Sequence, residues 1–246
     1  MKIDRIVGFG DSWMYGDELL DPVLAAQDPE AHCSWDQNTQ YREGRCFLGL
    51  LGQHYGLPVE NFGIPGGSLE STEWTYLWWL DHEPRPERCL VVVFLTESNR
   101  ASFYNPNHVH YSNDPPWNKF VHSTWVHFGS SVIGPEFIDM IKRYLVLTEC
   151  KDLWDYRYRR TVMLIDGHAT KASIPTLMWN TLPPVRAMPQ VTSLQWPDFA
   201  WTIYFRNHPG NQARELIKPG GHPNELGHEM IRDMLLPETD RVILHE

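Results

Sequence analysis

The sequence predicts an α/β fold of three layers, with helices on both faces of a central, mostly parallel β-sheet. Short apolar runs occur at 3–9, 89–95 and 175–179, and such runs are typical of strands buried on both faces. Segments 40–55 and 152–171 lie between them and carry apolar residues at helical spacing. Because parallel strands are joined by long crossovers, usually helices, this alternation predicts βαβ units.

The chain has the composition of an ordinary globular protein. Its 246 residues are 42% hydrophobic and 21% charged, so we expect one domain spanning 1–246 with a sizeable core. The formal net charge of −10 argues against a nucleic acid or an anionic membrane as the main partner. No apolar run approaches a membrane span, and the first strand begins without a signal peptide, so we expect a cytoplasmic protein.

The cysteines and histidines form no recognisable metal motif. The four cysteines lack a C-x-x-C pair and are expected to be reduced and mostly buried. A His-x-His pair, which can bind zinc, occurs in a group of four histidines: His108, His110, His122 and His127. No acidic or cysteine ligand accompanies them at a suitable spacing, so we expect neither a metal nor a cofactor.

In the amino-terminal half, strands and helices alternate after an irregular start. Segment 13–38 lacks a steady period and is expected to form a loop with a short helix that borders the site. A helix over 40–55 leads into a short strand over 59–62. Ser68 is expected to cap the next helix, which precedes the buried strand over 89–95.

The regular pattern stops at 103–133, which is dense in Tyr, Trp, His, Asn and Pro. Long segments of this kind in compact domains are usually functional or disordered, and the aromatic content argues against disorder. We therefore predict a long aromatic-rich loop inserted over the carboxyl edge of the sheet. These rings either line a binding groove or merely pack the loop onto the body.

The carboxyl-terminal half completes the alternation. Its predicted elements are helices over 135–150 and 152–171, a strand over 175–179, a loop over 183–197, a final helix over 226–235 and a small edge element over 242–244. Segment 199–205 is compatible with either a strand or a helix.

Ser12 is the candidate nucleophile. The first apolar run ends abruptly at Gly10-Asp11-Ser12, and Gly8 and Gly10 allow a sharp turn that lifts the next side chain out of the sheet. A serine at that exit lies at the carboxyl edge, where open α/β sheets bind ligands. An ordinary Asp-Ser turn after a strand explains the same tripeptide, so the interpretation depends on a partner elsewhere.

The candidate partner is His222, in a glycine-rich loop before a helix that Asn224 is expected to cap. Gly-Asp-Ser near the amino terminus and His-Pro-Asn near the carboxyl terminus resemble the SGNH hydrolases, the GDSL-type lipases and esterases. The resemblance spans nearly the whole chain and implies a flavodoxin-like architecture, Ser12 as nucleophile and His222 as base. His228, six residues on, is expected to be a packed or helix-surface histidine.

The resemblance also implies donors for the oxyanion formed during ester hydrolysis. The family uses a loop glycine and an asparagine side chain beside the serine's own N–H. Gly66, five residues after Asn61, matches the glycine, although a tight turn with positive φ explains it equally well. For the asparagine we predict Asn99. An alignment from Leu95 without a gap places Ser98 at this position instead, and a gap of one residue places Asn99 there.

The usual acid of the family is missing. An aspartate normally lies three residues before the histidine and orients its ring, but Pro219 occupies that position. Asp198, Glu215 or a backbone carbonyl are the alternatives. We expect one acceptor at the ring nitrogen of His222 that does not face Ser12.

Two functions are compatible with these motifs. The first is an esterase or deacylase that acts on a small-molecule or glycan ester, and the aromatic insertion suits an acylated carbohydrate. The second is a catalytically weak relative that binds a glycan or a protein through the same cleft, since the usual aspartate is lost. The retained Ser12, Gly66 and His222 favour the enzyme. Glu97 and Arg100 either form an ion pair or bind a polar substrate.

Overall fold

Among the residues that the computed structural model describes, the central sheet has four parallel strands. They are β1 (Arg5–Gly10), β2 (Val59–Gly63), β3 (Cys89–Leu95) and, after two short strands, β6 (Thr176–Asn180). Their spatial order is β2-β1-β3-β6. The short strands β4 (Ser102–Tyr104) and β5 (Trp125–His127) pair antiparallel in a separate sheet. The structure describes residues 2–98, 100, 102–104, 125–127, 150–181, 191–196, 199–207 and 213–244.

Helices occupy the connections between the strands. In the amino-terminal half they are α1 (Ser12–Tyr15), α2 (Pro22–Gln27), α3 (Thr39–Arg45), α4 (Phe47–Tyr55) and α5 (Leu69–His82). In the carboxyl-terminal half they are α6 (Lys151–Ala172), α7 (Trp201–Asn207), α8 (Ala213–Leu216) and α9 (Glu225–Ile243). Short 3₁₀ turns cover Asp36–Asn38 and Pro86–Arg88. In the parts of the chain just described, no helix is both long and apolar enough to cross a membrane.

The sheet separates two apolar clusters, which confirms the predicted three-layer α/β/α architecture. Phe94 and the residues of β3 on the same side pack with α4, α7 and α9. Val93 and its same-side neighbours pack with α5 and α6. All seven residues of β3 are buried, as the unbroken apolar run predicts for a strand covered on both faces.

The carboxyl end of β1 lies at the switch point of the sheet, because β2 pairs on one side of β1 and β3 on the other. The Ile64 N–H donates to Gly10 O (2.9 Å), which continues the β1–β2 pairing one residue beyond β2. A Cβ at Gly10 would lie 2.8 Å from Phe94 O, so only glycine allows β3 to approach this closely. Open α/β sheets bind ligands at such a switch point.

Two predicted elements differ in the structure, and one segment that the sequence left open is decided by it. The helix predicted over 40–55 is two helices, because Cys46 is extended (ψ 153°) and changes the direction of the chain. The second helix, α4, packs against one face of the sheet. The segment over 199–205, compatible with strand or helix, forms α7. The edge element predicted over 242–244 is wrong: helix α9 continues to Ile243, where Val242 and Ile243 pack against the apolar cluster.

Other predictions fall partly outside the described residues. Of the insertion over 103–133, the structure describes only residues 103–104 in β4 and all of β5, and of the helix over 135–150 only Cys150. All four cysteines are free. Three are buried and Cys150, at the start of α6, is exposed, as expected for reduced and mostly buried thiols.

Candidate active site

A hydrogen bond joins Ser12 and His222 across 210 positions of the chain. Ser12 Oγ lies 2.9 Å from His222 Nε2, which is an ordinary hydrogen-bond distance. Ser12 is 5% exposed, and the His222 side chain is 21% exposed. The structure therefore brings together the two residues that the sequence predicted as nucleophile and base.

Ser12 is positioned by a tight turn between β1 and the single helical turn of α1. The Asp11 carboxylate caps that turn by accepting from the Trp13 N–H (3.0 Å). Gly16 ends it in the left-handed conformation (φ 80°), where glycine is favoured. Asn61 in the middle of β2 donates from Nδ2 to Met14 O (2.8 Å) and accepts from the Gly63 N–H (2.9 Å). The nucleophile turn is thus tied to the neighbouring strand.

His222 lies in a closed turn between α8 and α9. The Lys218 N–H donates to His222 O (2.8 Å), and Gly221 turns the chain with φ 94°. Asn224 caps α9 by accepting from the Gly227 N–H (2.9 Å), as predicted. These contacts fix the loop at both ends, so the backbone that carries His222 is held in place.

The second ring nitrogen of His222 contacts a carboxylate. Its Nδ1 lies 2.8 Å from Glu18 Oε2, and the backbone N–H of His222 donates to the same oxygen (3.3 Å). Glu18 Oε1 accepts from the Gly220 N–H (3.0 Å). The expected acceptor at this nitrogen is therefore present, and it is Glu18.

Sequence reasoning missed Glu18. Asp17-Glu18 follows Ser12 by one short helix, within the segment expected to border the site, and this was the available signal. Of the alternatives considered, Asp198 lies outside the described residues. Glu215 is exposed, and its backbone carbonyl accepts from the Asn224 side chain.

Asp17 lies on the other side of the imidazole. Its Oδ2 is 3.8 Å from His222 Nε2, too long for a hydrogen bond. Its Oδ1 accepts from the Glu18 N–H (3.1 Å) and from the Cys33 thiol (3.0 Å). Burial, and to a smaller extent this contact with Asp17, raises the pKa of Cys33 to about 12. The thiol therefore stays protonated and acts as a donor.

The charged groups on either side of Asn99 in the sequence pair with each other. Arg100 Nε lies 2.9 Å from Glu97 Oε1, which confirms the ion-pair interpretation of these residues. Burial raises the pKa of Asp11, and the positive charge of Arg100 opposes that rise. Arg100 therefore acts on the electrostatics beneath the nucleophile as well as on its own loop.

The proposed oxyanion donors are described only in part. Gly66 lies in the turn after β2 with φ 68°, the conformation that the tight-turn explanation requires. Asn99 lies outside the described residues. Ser98, the ungapped alternative, is 2% exposed, and within the described part of the chain its hydroxyl has no hydrogen-bond partner.

His228 is a packed histidine, one of the two alternatives expected. It is fully buried in α9, its Nδ1 accepts from the Phe47 N–H (3.2 Å), and burial lowers its pKa to about 3. Among the residues that the structure describes, no group of His, Cys, Asp and Glu could hold a metal ion. The side chains of the four clustered histidines lie outside those residues.

No protein-family model and no curated protein matches the chain. Three solved structures illustrate what it is similar to. A member of the lipolytic protein G-D-S-L family from Veillonella parvula is 14% identical, with 95% of this chain and 96% of that chain covered and a TM-score of 0.38. An alpha/beta hydrolase from the metagenome of Lake Arreo, Spain, is 13% identical, with 96% and 95% covered and a TM-score of 0.44.

The third is an acetylxylan esterase from Geobacillus stearothermophilus, solved as a catalytic mutant. It is 17% identical, with 97% of this chain and 96% of that chain covered and a TM-score of 0.34. Each of the three alignments covers at least 95% of this chain.

Proposed function

We propose that this protein is a serine hydrolase of the SGNH type that cleaves carboxylic esters, with Ser12 as nucleophile and His222 as general base. The observation that carries the proposal is the 2.9 Å contact between Ser12 Oγ and His222 Nε2 at the switch point of the sheet. A serine hydroxyl is a weak nucleophile until a base takes its proton, and a neutral imidazole at this distance is the usual base.

The proposed reaction has two steps. Ser12 Oγ attacks the ester carbonyl while its proton moves to His222 Nε2, and the tetrahedral oxyanion expels the alcohol, which takes that proton. Water, deprotonated by His222, then attacks the acyl-enzyme; the bond to Ser12 Oγ breaks, Oγ takes the proton back from His222, and the acid is released. This chemistry requires no metal or cofactor.

The oxyanion needs donors that are already in place. Ser12 begins α1, and its N–H is one of the first-turn amides that a helix leaves without an intrahelical partner. The resemblance adds the Gly66 N–H and the Asn99 side chain. The pairing of Ile64 with Gly10 supports Gly66, since it holds the start of that turn beside the nucleophile strand.

We propose a small-molecule or glycan ester as substrate. The aromatic-rich composition of 103–133 supports an acylated carbohydrate, because aromatic rings stack on the apolar faces of sugars. The net charge of −10 favours neutral or cationic substrates over strongly anionic ones.

The test combines a covalent probe with an ester assay. A fluorophosphonate should add to Ser12, with loss of fluoride, and the protein should hydrolyse 4-nitrophenyl acetate. Ser12→Ala should abolish both, and His222→Asn should slow both, whereas His54→Asn at an exposed position should change neither. Absence of an adduct, or an adduct that persists in Ser12→Ala, contradicts the assignment. A stable acyl-enzyme without turnover supports the glycan- or protein-binding alternative instead.

A further inference from the structure

We propose that Glu18 is the positioning carboxylate of this site and replaces the acid that the chain lacks before His222. This inference rests on the proposed function. It goes beyond that function because it assigns the acid of the catalytic group to a residue six positions after the nucleophile. The resemblance places that acid three positions before the histidine instead.

Both oxygens of the Glu18 carboxylate are used. Oε2 lies 2.8 Å from His222 Nδ1 and accepts from the His222 backbone N–H, and Oε1 accepts from the Gly220 N–H. Three donors of the turn over 218–222, called the histidine loop below, therefore converge on one side chain. Hydrogen bonds to an ionised acceptor are stronger than those between neutral groups.

The contact determines which ring nitrogen carries the proton. An ionised carboxylate only accepts, so the proton of the neutral ring lies on Nδ1. His222 Nε2 is then free to accept the Ser12 proton across 2.9 Å. After that transfer the carboxylate also stabilises the imidazolium, as the triad aspartate does in serine proteases.

The neighbouring acid, Asp17, does not fit this role. Its Oδ2 lies 3.8 Å from the ring nitrogen that faces Ser12, and its Oδ1 accepts from the Cys33 thiol and from the Glu18 N–H. Asp17 therefore supports the Glu18 backbone and does not orient the imidazole.

The backbone conformation of Glu18 and the missing side chain of Gly220 both allow this contact. Glu18 has φ 65°, in the left-handed region that side chains rarely adopt, and the surrounding structure holds it there. On the facing loop, a Cβ at Gly220 would lie 2.5 Å from Glu18 Oε1. Pro219, at the usual position of the acid, offers no carboxylate.

The experiment compares Glu18→Gln with Glu215→Gln, a matched change at an exposed position. An amide has only one acceptor oxygen, so in either orientation its NH₂ group faces a donor of the histidine loop. In serine proteases, neutralising the acid lowers kcat by about 10⁴-fold. We expect Glu18→Gln to lower kcat for 4-nitrophenyl acetate by roughly 10³- to 10⁴-fold with little change in KM, and Glu215→Gln to match the parent.

A spectroscopic signature separates positioning from folding. A proton shared between His222 Nδ1 and a carboxylate should give a downfield ¹H resonance in the parent. It should be absent from Glu18→Gln and His222→Asn and present in Glu215→Gln. If Glu18→Gln does not fold, Glu18→Asp, which keeps two acceptor oxygens on a shorter side chain, should fold, retain part of the activity and show a shifted resonance.

The outcomes distinguish the two proposals. If the parent protein is not labelled at Ser12 by a fluorophosphonate, the proposed function is wrong. If the parent is labelled and Glu18→Gln reacts and turns over at the same rate, the function stands and the role of Glu18 is wrong. Absence of the downfield resonance from a parent that is labelled also overturns the role of Glu18.

Discussion

Gly220 faces the Glu18 carboxylate so closely that a Cβ at position 220 would lie 2.5 Å from Oε1 and 2.6 Å from Oε2. The Gly220 N–H donates to Oε1 across 3.0 Å. The glycine is thus required by the close approach of the histidine loop to an acid from the opposite end of the chain, and not by its own φ angle.

Gly220→Ala should therefore displace Glu18 and disturb His222. We expect kcat to fall by about 10²-fold with KM little changed, since a misplacement of about 1 Å in catalytic geometry costs on that order. Steady-state kinetics on 4-nitrophenyl acetate check this. Gly167→Ala is the control: nothing lies within 4 Å of its added Cβ in α6, so it should keep full activity and gain about 0.5–1 kcal/mol of stability. Full activity in Gly220→Ala would contradict the steric argument.

Asp17 should select against substrates with a negative acyl group, because its carboxylate lies 3.8 Å from His222 Nε2, on the side of Ser12. Two unit charges 4 Å apart interact by about 1 kcal/mol in water, which corresponds to about fivefold in rate. Asp17→Asn should therefore raise kcat/KM for the 4-nitrophenyl monoester of succinic acid, relative to the acetate, by about that factor. The effect should shrink at high salt.

The matched control for this change is Asp233→Asn, at an exposed position in α9. It alters the net charge equally and should leave the succinate-to-acetate ratio unchanged. An unaltered ratio in Asp17→Asn would show that its charge does not reach the acyl group.

His228 should make the protein less stable in acid. Burial lowers its pKa to about 3 from 6.5, so below pH 6.5 the unfolded state takes up a proton that the folded state does not. Stability contributed by the neutral ring is therefore lost as the pH falls from about 6.5 towards 3, and at pH 5 this amounts to about 2 kcal/mol.

His228→Asn should remove this titration, since an amide oxygen can still accept from the Phe47 N–H. Free energies of unfolding in urea at pH 8 and pH 5 measure it: the loss between the two pH values should be about 2 kcal/mol smaller in the variant than in the parent. His54→Asn, at an exposed position, should behave like the parent. An equal loss in all three proteins would refute the assignment to His228.

Asn61→Ala should weaken both the fold and the site. It removes the hydrogen bonds that the Asn61 side chain makes with Met14 O and with the Gly63 N–H at the end of β2. We expect a loss of about 1–3 kcal/mol in the free energy of unfolding, because buried groups lose their partners. A lower kcat should accompany it, because the Ser12 turn is no longer held. Gln53→Ala, whose exposed side chain bonds Gly44 O, should cost less than about 0.5 kcal/mol and leave kcat unchanged.

Local sequence patterns predicted much of the fold. The unbroken apolar run of β3 predicted a strand buried on both faces, and Ser68 predicted the cap of α5, where the structure has a capping box. The break at Cys46 was not predicted, because apolar residues keep helical spacing on both sides of it. The break at Cys46 depends on the packing of α4 against the sheet, which is a tertiary contact and leaves no local pattern.

The sequence by itself determined the parallel α/β pattern and the two motifs that carry Ser12 and His222. These follow from periodicity and from short spacings, which are local properties of the chain. Only the tertiary structure decided that Glu18 faces His222 across 204 positions. That pairing depends on the left-handed backbone of Glu18 and on the absence of a side chain at Gly220, neither of which leaves a periodic signal.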